Sequence, residues 1–318
     1  MSEVALSGAI ERVAVIGAGV IGASWAAYFL ARGFTVTVSD PDPAAEAKLR
    51  AAVARHWVVL EPIGLAHGAS LARLSCTTEL EAAVEGAQFV QENGPERLDL
   101  KVELFRRLDA ATPREVLLAS SSSTLAVSAM QSACKHPERV VLGHPFNPPH
   151  LIPLVEVVGG DRTSAAAVER AMAFYIAIGK KPIRLRREIL GHIANRLQAA
   201  LWQEAFNLVD QGVASVAEID TAIAYGPGLR WALLGPFLNL HLSGGAGGIA
   251  HLLEHLGPAN EAMWRDLGRP VLDGALRQKV VEQLGEMIGD VDQEELERRR
   301  DEMLSELIRR KQETALLS

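Results

Sequence analysis

The sequence predicts an α/β domain with a mostly parallel sheet, followed by a smaller all-helical domain. In the first half, short runs rich in β-branched residues alternate with segments of helical periodicity, as in strands joined by crossover helices. After Arg187 the strand-like runs cease, and apolar residues recur at helical spacing between turns rich in glycine and proline. At roughly 100–200 residues per domain, a chain of 318 residues holds two domains. We place them at 1–187 and 188–318.

The elements of the first domain follow in order. Each predicted strand is a short apolar run, and each predicted helix has apolar residues three and four positions apart. The strands are predicted at 12–16, 34–39, 89–92, 116–120, 140–143, 154–158 and 182–185, and the helices at 21–32, 43–60, 98–111, 128–133 and 164–178. The last strands are candidates for antiparallel pairing.

The second domain is predicted to be helical throughout. Its helices are expected at 189–211, 216–225, 235–255, 260–267, 272–287 and 293–314. The charged run 294–301 in the last of these is interpreted as a solvated helix face, because apolar residues recur on the opposite side.

The stretch from Val13 to Ala31 has no charged residue and is long enough to span a membrane. It divides into a β-branched run, a glycine cluster and an alanine-rich segment, so a strand, a turn and a buried helix explain it better. Before it, Glu3 precedes any apolar run and no basic n-region is present. We therefore expect no signal peptide and a cytoplasmic protein.

Composition excludes several classes of protein. Apolar residues make up 48 % and charged residues 22 %, which excludes a disordered chain. A net charge of −7 without a basic face argues against a nucleic-acid partner. Cys76 and Cys134 are far apart in sequence, so we expect neither a disulfide framework nor a metal site built on cysteines.

A dinucleotide-binding pattern follows the first predicted strand. Gly17, Gly19 and Gly22 form GxGxxG, in which they permit a tight turn, close approach of the pyrophosphate, and close helix packing. The pattern alone is also that of an ordinary glycine turn. Asp40, however, ends the second predicted strand 18 residues past Gly22 (40 − 22), near the usual spacing of about 20. Its carboxylate favours NAD over NADP, although a turn residue before a proline is the simpler alternative. We also assign Val20, Ile21, Glu96 and Lys101 to the cofactor site.

Oxidation of an alcohol needs a base, and histidine suits it because its unperturbed pKa of about 6.5 lies near working pH. His144 directly follows the predicted strand 140–143, at the sheet edge where α/β proteins bind ligands. Glu156 is a charge within an apolar strand, and a buried carboxylate needs a partner. His144 is the economical partner. From the pattern alone, a solvent-facing Glu156 and a turn-capping His144 remain an open alternative.

Five motifs occur in the order found in L-3-hydroxyacyl-CoA dehydrogenases. They are Gly17-x-Gly-x-x-Gly22, Ser120-Ser-Ser-Ser-Thr-Leu125, Gly143-His-Pro-Phe-Asn-Pro148, Leu154-Val-Glu-Val157 and Gly191-His-Ile-Ala-Asn-Arg196. The chain resembles this family over essentially its whole length. The resemblance implies a Rossmann-type NAD-binding domain followed by an all-helical substrate and dimerisation domain, and NAD-dependent oxidation of a 3-hydroxyl group.

The resemblance also implies roles for individual residues. It makes His144 the base and Glu156 its orienting partner. It places Ser123 and Asn195 on the reacting oxygen, where hydrogen-bond donors stabilise developing alkoxide charge. Ser121 stands where the family usually has asparagine, so the resemblance assigns Ser121 no role in the site. Ser123 as an ordinary turn residue and Asn195 as a helix-surface residue are the alternatives.

Four stretches of the second domain point to one branch of the family: Asn195-Arg-Leu-Gln198, Glu204-Ala205, Gly226-Pro-Gly-Leu-Arg-Trp231 and Gly235-Pro236. Through them the domain resembles the members that act on free acids, the L-gulonate 3-dehydrogenases and L-carnitine dehydrogenases. Arg230 stands where members that use CoA thioesters usually have a Tyr-Pro-x-Gly-Pro segment. Its planar fork matches a carboxylate, so we assign Arg230 to the substrate, with a surface or interface role as the alternative. Trp231 and Trp264 are candidates for a cation–π contact with a quaternary ammonium group, although tryptophans in helical domains are more often core.

We therefore expect an NAD-dependent dehydrogenase of a small L-3-hydroxy acid with a free carboxylate, acting as a homodimer. The nearer alternative is a 3-hydroxyacyl-CoA dehydrogenase of fatty-acid metabolism. The remote alternative is a crystallin-like protein that binds NADH without turnover. Neither a nucleic acid nor a membrane is an expected partner.

Overall fold

The computed structural model describes residues 10–314. Glu3, used above in the signal-peptide expectation, lies outside the described residues. The chain forms two compact units: the first runs to Asn195 and resumes at Arg298, and the second spans Arg196–Glu297. The predicted division after residue 187 falls earlier than the observed one, because the turn before Asn195 is hydrogen-bonded to the first unit.

An eight-stranded sheet forms the centre of the first unit. Its strands are β1 (Arg12–Ile16), β2 (Thr35–Ser39), β3 (Leu74–Thr77), β4 (Phe89–Glu92), β5 (Leu117–Ser120), β6 (Val140–Pro145), β7 (Leu154–Gly159) and β8 (Lys181–Arg184). The strand order is β3-β2-β1-β4-β5-β6-β7-β8. Strands β1 to β6 are parallel, whereas β7 pairs antiparallel with β6 and parallel with β8. The predicted parallel sheet with antiparallel last strands is confirmed.

Helices cover both faces of the sheet. They are α1 (Val20–Ala31), α2 (Ala45–Leu60), α3 (Leu80–Val84), α4 (Leu98–Ala111), α5 (Val127–Met130) and α6 (Ala165–Ala177). Val13 and Val15 of β1 pack into one apolar core with α1, α2 and α6. Ala14 and Ile16 of the same strand pack into a second core with α3, α4 and α5. Burial on both faces explains why the strands are apolar runs without alternation.

The uncharged stretch proposed above as strand, turn and helix forms β1, the glycine turn and α1. Every α1 residue from Gly22 to Ala31 is buried, and Trp25 stacks on Phe29 with ring centroids 5.0 Å apart. Among residues 10–314, no helix combines the length and apolar character that a membrane span requires.

The second unit is helical, as predicted, within its described residues. The helices after β8 are α7 (Ala194–Asp210), α8 (Val216–Tyr225), α9 (Pro227–Trp231), α10 (Pro236–Ser243), α11 (Gly248–Asp266), α12 (Gly274–Ile288) and α13 (Gln293–Glu313). A capping box at Ser215 and Glu218 starts α8. Predicted helices 235–255 and 260–267 differ from the structure: the first is interrupted at Gly244–Gly248, and α11 continues through Pro258.

The terminal helix α13 returns to the first unit from Arg298 onward. Residues 294–300 are mostly exposed, as the sequence predicts, but Asp301 is buried. Its Oδ2 lies 3.9 Å from Nε2 of His150. Nδ1 of His150 is 2.8 Å from the Ser24 hydroxyl on α1. The end of the chain thus contributes a carboxylate to a buried polar cluster of the first unit.

Candidate active site

The candidate site lies at the carboxyl ends of the parallel strands. The strand order reverses between β1 and β4, because β2 and β3 lie on one side of β1 and β4 to β6 on the other. Open α/β sheets bind ligands at such a point. The glycine turn follows β1, and His144 lies near the end of β6, so both belong to this edge of the sheet.

Each glycine of the motif occupies the kind of position that the sequence predicts. Gly17 has a φ of +96°, and a Cβ there would lie 2.7 Å from the carbonyl oxygen of Asn93. A Cβ on Gly22 would lie 1.9 Å from the carbonyl oxygen of Gly17, so α1 packs too closely on the turn for any side chain. Around Gly19, in contrast, no described atom lies within 4 Å of an added Cβ. The middle glycine therefore leaves open the space that a pyrophosphate needs.

The amino terminus of α1 is suited to an anion. Gly19 is its N-cap, and no side chain of the described residues caps it or places an acidic group in its first turn. Val20, at the first helical position, is exposed, and Ile21 is half-buried. The unpaired N–H groups and the helix dipole of such an end attract phosphate.

Asp40 lies where the second strand ends. Its Oδ2 accepts a hydrogen bond from the Ala18 amide (2.8 Å), and its Oδ1 accepts one from the Asp42 amide (3.0 Å). It lines a cavity of about 320 Å³, whose walls include Cys76 and Thr77. The cavity, the open glycine and the uncapped helix together fit an adenosine diphosphate moiety.

His144 and Glu156 are directly opposite each other on β6 and β7. Nδ1 of His144 lies 3.0 Å from Oε2 of Glu156, and the two side chains are 7 % and 0 % exposed. Glu156 is therefore not the solvent-facing residue of the alternative interpretation. The carboxylate accepts a hydrogen bond from Nδ1–H, which leaves Nε2 of the ring as the basic nitrogen.

The other oxygen of Glu156 accepts two backbone hydrogen bonds. The amides of Ile193 and Ala194 lie 2.8 Å and 3.0 Å from Oε1, and we call this pair the carboxylate cradle. Burial raises the pKa of Glu156, but the hydrogen bonds from His144 and the cradle outweigh it, so the net pKa lies below its usual value. The carboxylate therefore stays ionised at neutral pH.

Residues 121–124, which we call the serine turn, are organised by Glu96. Oε1 of Glu96 accepts hydrogen bonds from the Ser122 hydroxyl (2.7 Å), the Ser123 amide (3.0 Å) and the Thr124 amide (2.8 Å). Burial raises the pKa of Glu96, but the hydrogen bonds from Ser122 and Thr124 outweigh burial, so the net pKa lies below the usual value. Glu96, assigned above to the cofactor, thus holds the turn that carries Ser123.

The two residues expected to hold the reacting oxygen belong to this same unit. The Ser123 hydroxyl lies 3.5 Å from Glu96 Oε1, a long contact that leaves it able to donate elsewhere. Asn195 is half-buried at the second position of α7, directly after the carboxylate cradle. Ser121 donates to Oδ1 of Asn93 (2.7 Å).

Lys101, also assigned to the cofactor, is enclosed by the protein. Its Nζ contacts both carboxylate oxygens of Glu92, at 2.6 Å and 2.9 Å, and the carbonyl oxygen of Gly94. The side chains of the pair are 2 % and 0 % exposed. Ser120 donates a further hydrogen bond to Glu92 (2.6 Å). In this structure the ammonium group binds the strand end beneath the serine turn, and a direct role toward the cofactor stays a prediction.

Sequence reasoning missed three buried polar residues beside the site. His192 has a φ of 52°, the one positive φ among non-glycine residues in the described range, and its Nε2 lies 3.2 Å from the Ser122 carbonyl oxygen. Gln91 bonds the Ser121 hydroxyl (2.8 Å) and the Gly143 carbonyl (3.2 Å). The second and third of these residues are Gln91 and Glu92. The signal for them in the sequence was that this polar pair ends the otherwise apolar strand β4.

Lys180 supports the segment that follows His144. Its Nζ donates to the carbonyl oxygens of Pro149 and Ile152 and lies 3.8 Å from the ring centroid of Tyr28. Burial, followed by the charge of a nearby arginine, lowers the pKa of Lys180 well below its usual value. These contacts fix the chain between the two strands that carry the histidine and glutamate.

Arg230 and Trp231 end the short helix α9 of the second unit, and both side chains are exposed. Trp264 is exposed on α11. Their assignment to the substrate stays a prediction.

Two family models match the chain. Residues 12–189 match the 3-hydroxyacyl-CoA dehydrogenase NAD binding domain. Residues 191–285 match the 3-hydroxyacyl-CoA dehydrogenase C-terminal domain.

Curated relatives and solved structures resemble the chain over most of its length. L-carnitine dehydrogenase of Streptomyces griseus is 56 % identical over 272 residues, 86 % of this chain and 81 % of that protein. L-carnitine dehydrogenase of Streptomyces coelicolor is 54 % identical over 272 residues, 86 % of each chain. The crystal structure of 5-formyl-3-hydroxy-2-methylpyridine 4-carboxylic acid 5-dehydrogenase, an NAD⁺-dependent dismutase, is 28 % identical with a TM-score of 0.81, covering 95 % of this chain and 98 % of that one.

Proposed function

The chain belongs to the 3-hydroxyacyl-CoA dehydrogenase family, and from that membership we propose that it oxidises the 3-hydroxyl group of L-carnitine or a closely similar free acid. It is an NAD-dependent oxidoreductase. The observation that carries the proposal is the buried His144–Glu156 pair at the same sheet edge as the glycine turn. The L-carnitine dehydrogenases that it resembles support the substrate class.

The cofactor is held by the first unit. When bound, NAD supplies the acceptor for the hydride that leaves C3 of the substrate. Gly19 and the amino terminus of α1 take the pyrophosphate, and Asp40 takes the adenosine ribose, where its carboxylate would repel a 2′-phosphate.

His144 acts as the general base. Glu156 accepts the hydrogen bond from Nδ1–H, so Nε2 removes the hydroxyl proton as the hydride departs, and the product is the 3-keto acid. The ionised Glu156 then stabilises the imidazolium. Ser123 and Asn195 donate hydrogen bonds to the reacting oxygen and stabilise its developing charge.

The second unit supplies specificity. A carnitine-like substrate carries a carboxylate at one end and a quaternary ammonium group at the other. Arg230 binds the carboxylate through its guanidinium fork, and Trp231, with Trp264, provides an aromatic face for the ammonium group. The exposure of all three side chains within this unit is compatible with contact to a ligand.

The active protein is a homodimer that associates through the second unit. Large apolar side chains are exposed there, including Tyr225 (80 %), Phe237 (75 %) and Val271 (77 %). Exposed apolar side chains of this kind support the assignment of the dimer interface to the second unit, because contiguous apolar surface marks association sites in soluble proteins.

NADH production by the purified protein tests the proposal. The substrates are L-carnitine, L-gulonate, L-3-hydroxybutyrate and L-3-hydroxybutyryl-CoA, each with wild type, Arg230→Ala and Arg230→Lys. We expect selective turnover of L-carnitine, lost in Arg230→Ala and poorly restored by Arg230→Lys, because lysine lacks the planar fork.

Two other outcomes of this assay would assign the protein a different function. Turnover of the CoA ester alone, indifferent to Arg230, would identify a 3-hydroxyacyl-CoA dehydrogenase and return Arg230 to a structural role. NADH binding without turnover of any substrate would refute the catalytic assignment.

A further inference from the structure

His192 connects the two halves of the catalytic site. It is 4 % exposed, and its ring centroid lies 5.0 Å from that of His144 with the planes tilted by 50°. Its backbone forms the turn before the carboxylate cradle, whose amides bind Glu156. Its ring reaches the serine turn at Ser122. One residue therefore touches both the support of the base and the support of the predicted oxygen donor.

The contact with Ser122 fixes the protonation of the His192 ring. A carbonyl oxygen only accepts, so Nε2 must carry a proton and donate it. Nδ1 is buried and has no hydrogen-bond partner among residues 10–314. A second proton on Nδ1 would be a buried donor without an acceptor, next to the His144 ring.

The surrounding charges agree with a neutral ring. Burial is the largest influence on His192 and lowers its pKa, and His144 lowers it further. The Ser122 carbonyl, Glu156 and Glu96 act in the opposite direction without reversing the shift. The ring beside the base therefore does not compete with His144 for the substrate's proton.

The backbone of His192 is equally specific. A φ of 52° lies in the left-handed region, which costs most residues free energy and is tolerated best by glycine and asparagine. The conformation directs the next two amides onto Oε1 of Glu156. Non-glycine residues held in this region concentrate at functional sites.

We propose that His192 is a positioning residue that fixes the serine turn to the carboxylate cradle, as a neutral imidazole that donates Nε2–H to the Ser122 carbonyl. This inference rests on the proposed function, because the serine turn carries Ser123, the residue assigned to the reacting oxygen. The side chain acts through Ser122 and contacts neither substrate nor cofactor.

Two variants separate the ring from the backbone. His192→Asn keeps the left-handed turn but is too short to reach Ser122, whereas the amide nitrogen of His192→Gln extends about as far as Nε2. We expect His192→Asn to lower kcat/KM for the hydroxy acid about tenfold, the scale of one lost hydrogen bond. The acidic limb of the kcat profile stays in place, because the cradle and the dyad are retained. His192→Gln should recover kcat/KM to within about threefold of wild type.

The control is His67→Asn, which replaces an exposed histidine and should change neither kcat/KM nor the acidic limb of the kcat profile. Thermal unfolding and NADH affinity, measured on every variant, separate a positioning role from a loss of folding. An unchanged kcat/KM in His192→Asn would overturn the proposal, whether or not the acidic limb shifts. A lowered kcat/KM that His192→Gln fails to recover would equally refute the hydrogen bond to Ser122.

A second measurement does not depend on turnover. Nitrogen-15 NMR of histidine-labelled protein, with the His192 signal identified by its loss in His192→Asn, should show one protonated and one unprotonated ring nitrogen from pH 5 to pH 8. A ring that titrates in this range would overturn the proposal. If wild type oxidises none of the acids but the NMR result is as expected, the proposed function has failed and the neutral, donating His192 stands.

Discussion

Replacement of Glu156 by glutamine tests how the base is prepared. The carboxylate cradle decides how the new amide sits. If the amide NH₂ faced the Ile193 and Ala194 amides, buried donors would meet without an acceptor, so the glutamine oxygen must stay at the Oε1 position. The NH₂ group then faces Nδ1 of His144, which lies 3.0 Å from the present Oε2. Nδ1 must accept, and the ring proton moves to Nε2.

The magnitude follows from that exchange of tautomers. With Nε2 protonated, the ring has no lone pair for the substrate's proton, and the imidazolium also loses the charge of Glu156. Replacement of an orienting carboxylate by its amide in a triad costs about 10⁴-fold in kcat. We therefore expect Glu156→Gln to lower kcat about 10³–10⁴-fold, or about 4–5.5 kcal/mol of barrier at 1.36 kcal/mol per factor of ten.

The assay is steady-state NADH formation, with NADH affinity and near-ultraviolet circular dichroism measured on the same preparation. Both of these should match wild type, because the amide preserves shape and the cradle's hydrogen bonds. Glu103→Gln, which neutralises an exposed carboxylate on α4, is the matched control. A loss of less than about tenfold in Glu156→Gln, with folding intact, would show that the carboxylate does not set the tautomer of His144.

Three further predictions concern the cofactor half of the site. Lys101→Met leaves the buried carboxylate of Glu92 without its cation, so urea unfolding should report a loss of about 3–5 kcal/mol; a loss below about 1 kcal/mol would contradict the buried-pair argument. Gly19→Ala should fold normally, because its Cβ enters open space, yet it should weaken NADH binding, because that space is the one assigned to the pyrophosphate. Gly22→Ala should lower Tm, because its Cβ overlaps the carbonyl oxygen of Gly17. Equal behaviour of the two variants would contradict these roles. The pKa of Glu96 is lowered in the folded state, so its contribution to stability is present above the unfolded pKa of about 4.3 and is lost as the pH falls through the folded pKa. Glu96→Gln should therefore flatten the decline of the unfolding free energy below a pH of about 4.3. An unchanged decline would show that Glu96 does not contribute.

The local sequence pattern was sufficient to predict the bounds of an element where the residue types that favour the element also match its packing in the fold. The predicted bounds of β1, β4, α4 and α8 match the structure to the residue. Strand β3 was missed because Leu-Ser-Cys-Thr, at the edge of the sheet, is only four residues long and contains no continuous run of β-branched or large apolar residues.

Other boundaries depend on contacts distant in sequence. The predicted helix 189–211 begins only at Ala194, because Gly191 and His192 adopt positive φ and direct the following amides to Glu156, almost forty residues away. Residue periodicity contains no information about that partner. The break in predicted helix 235–255 arises where Gly245 and Gly248 adopt positive φ.

The candidate site likewise has features that local sequence pattern predicts and features that depend on contacts distant in sequence. The glycine turn and the residue types of the His144–Glu156 pair are recognisable from motifs and spacing, but only the register of β6 and β7 sets them opposite each other. The burial of Lys101 and the contact between His192 and the serine turn depend on tertiary packing. Neither has a local signal beyond a polar residue in an unusual position.

The order of the two units along the chain determines when the first can complete its folding. A nascent chain synthesised as far as residue 297 contains every strand of the sheet and the helices α7 to α12, but not Asp301. Until α13 is made, His150 is without the carboxylate that lies 3.9 Å from its ring in the folded protein. Domains generally fold in the order of their synthesis. Here the first unit is completed only after the segment Arg196–Glu297 has been synthesised, so a truncation before Arg298 removes part of the cofactor-binding unit while that segment stays whole.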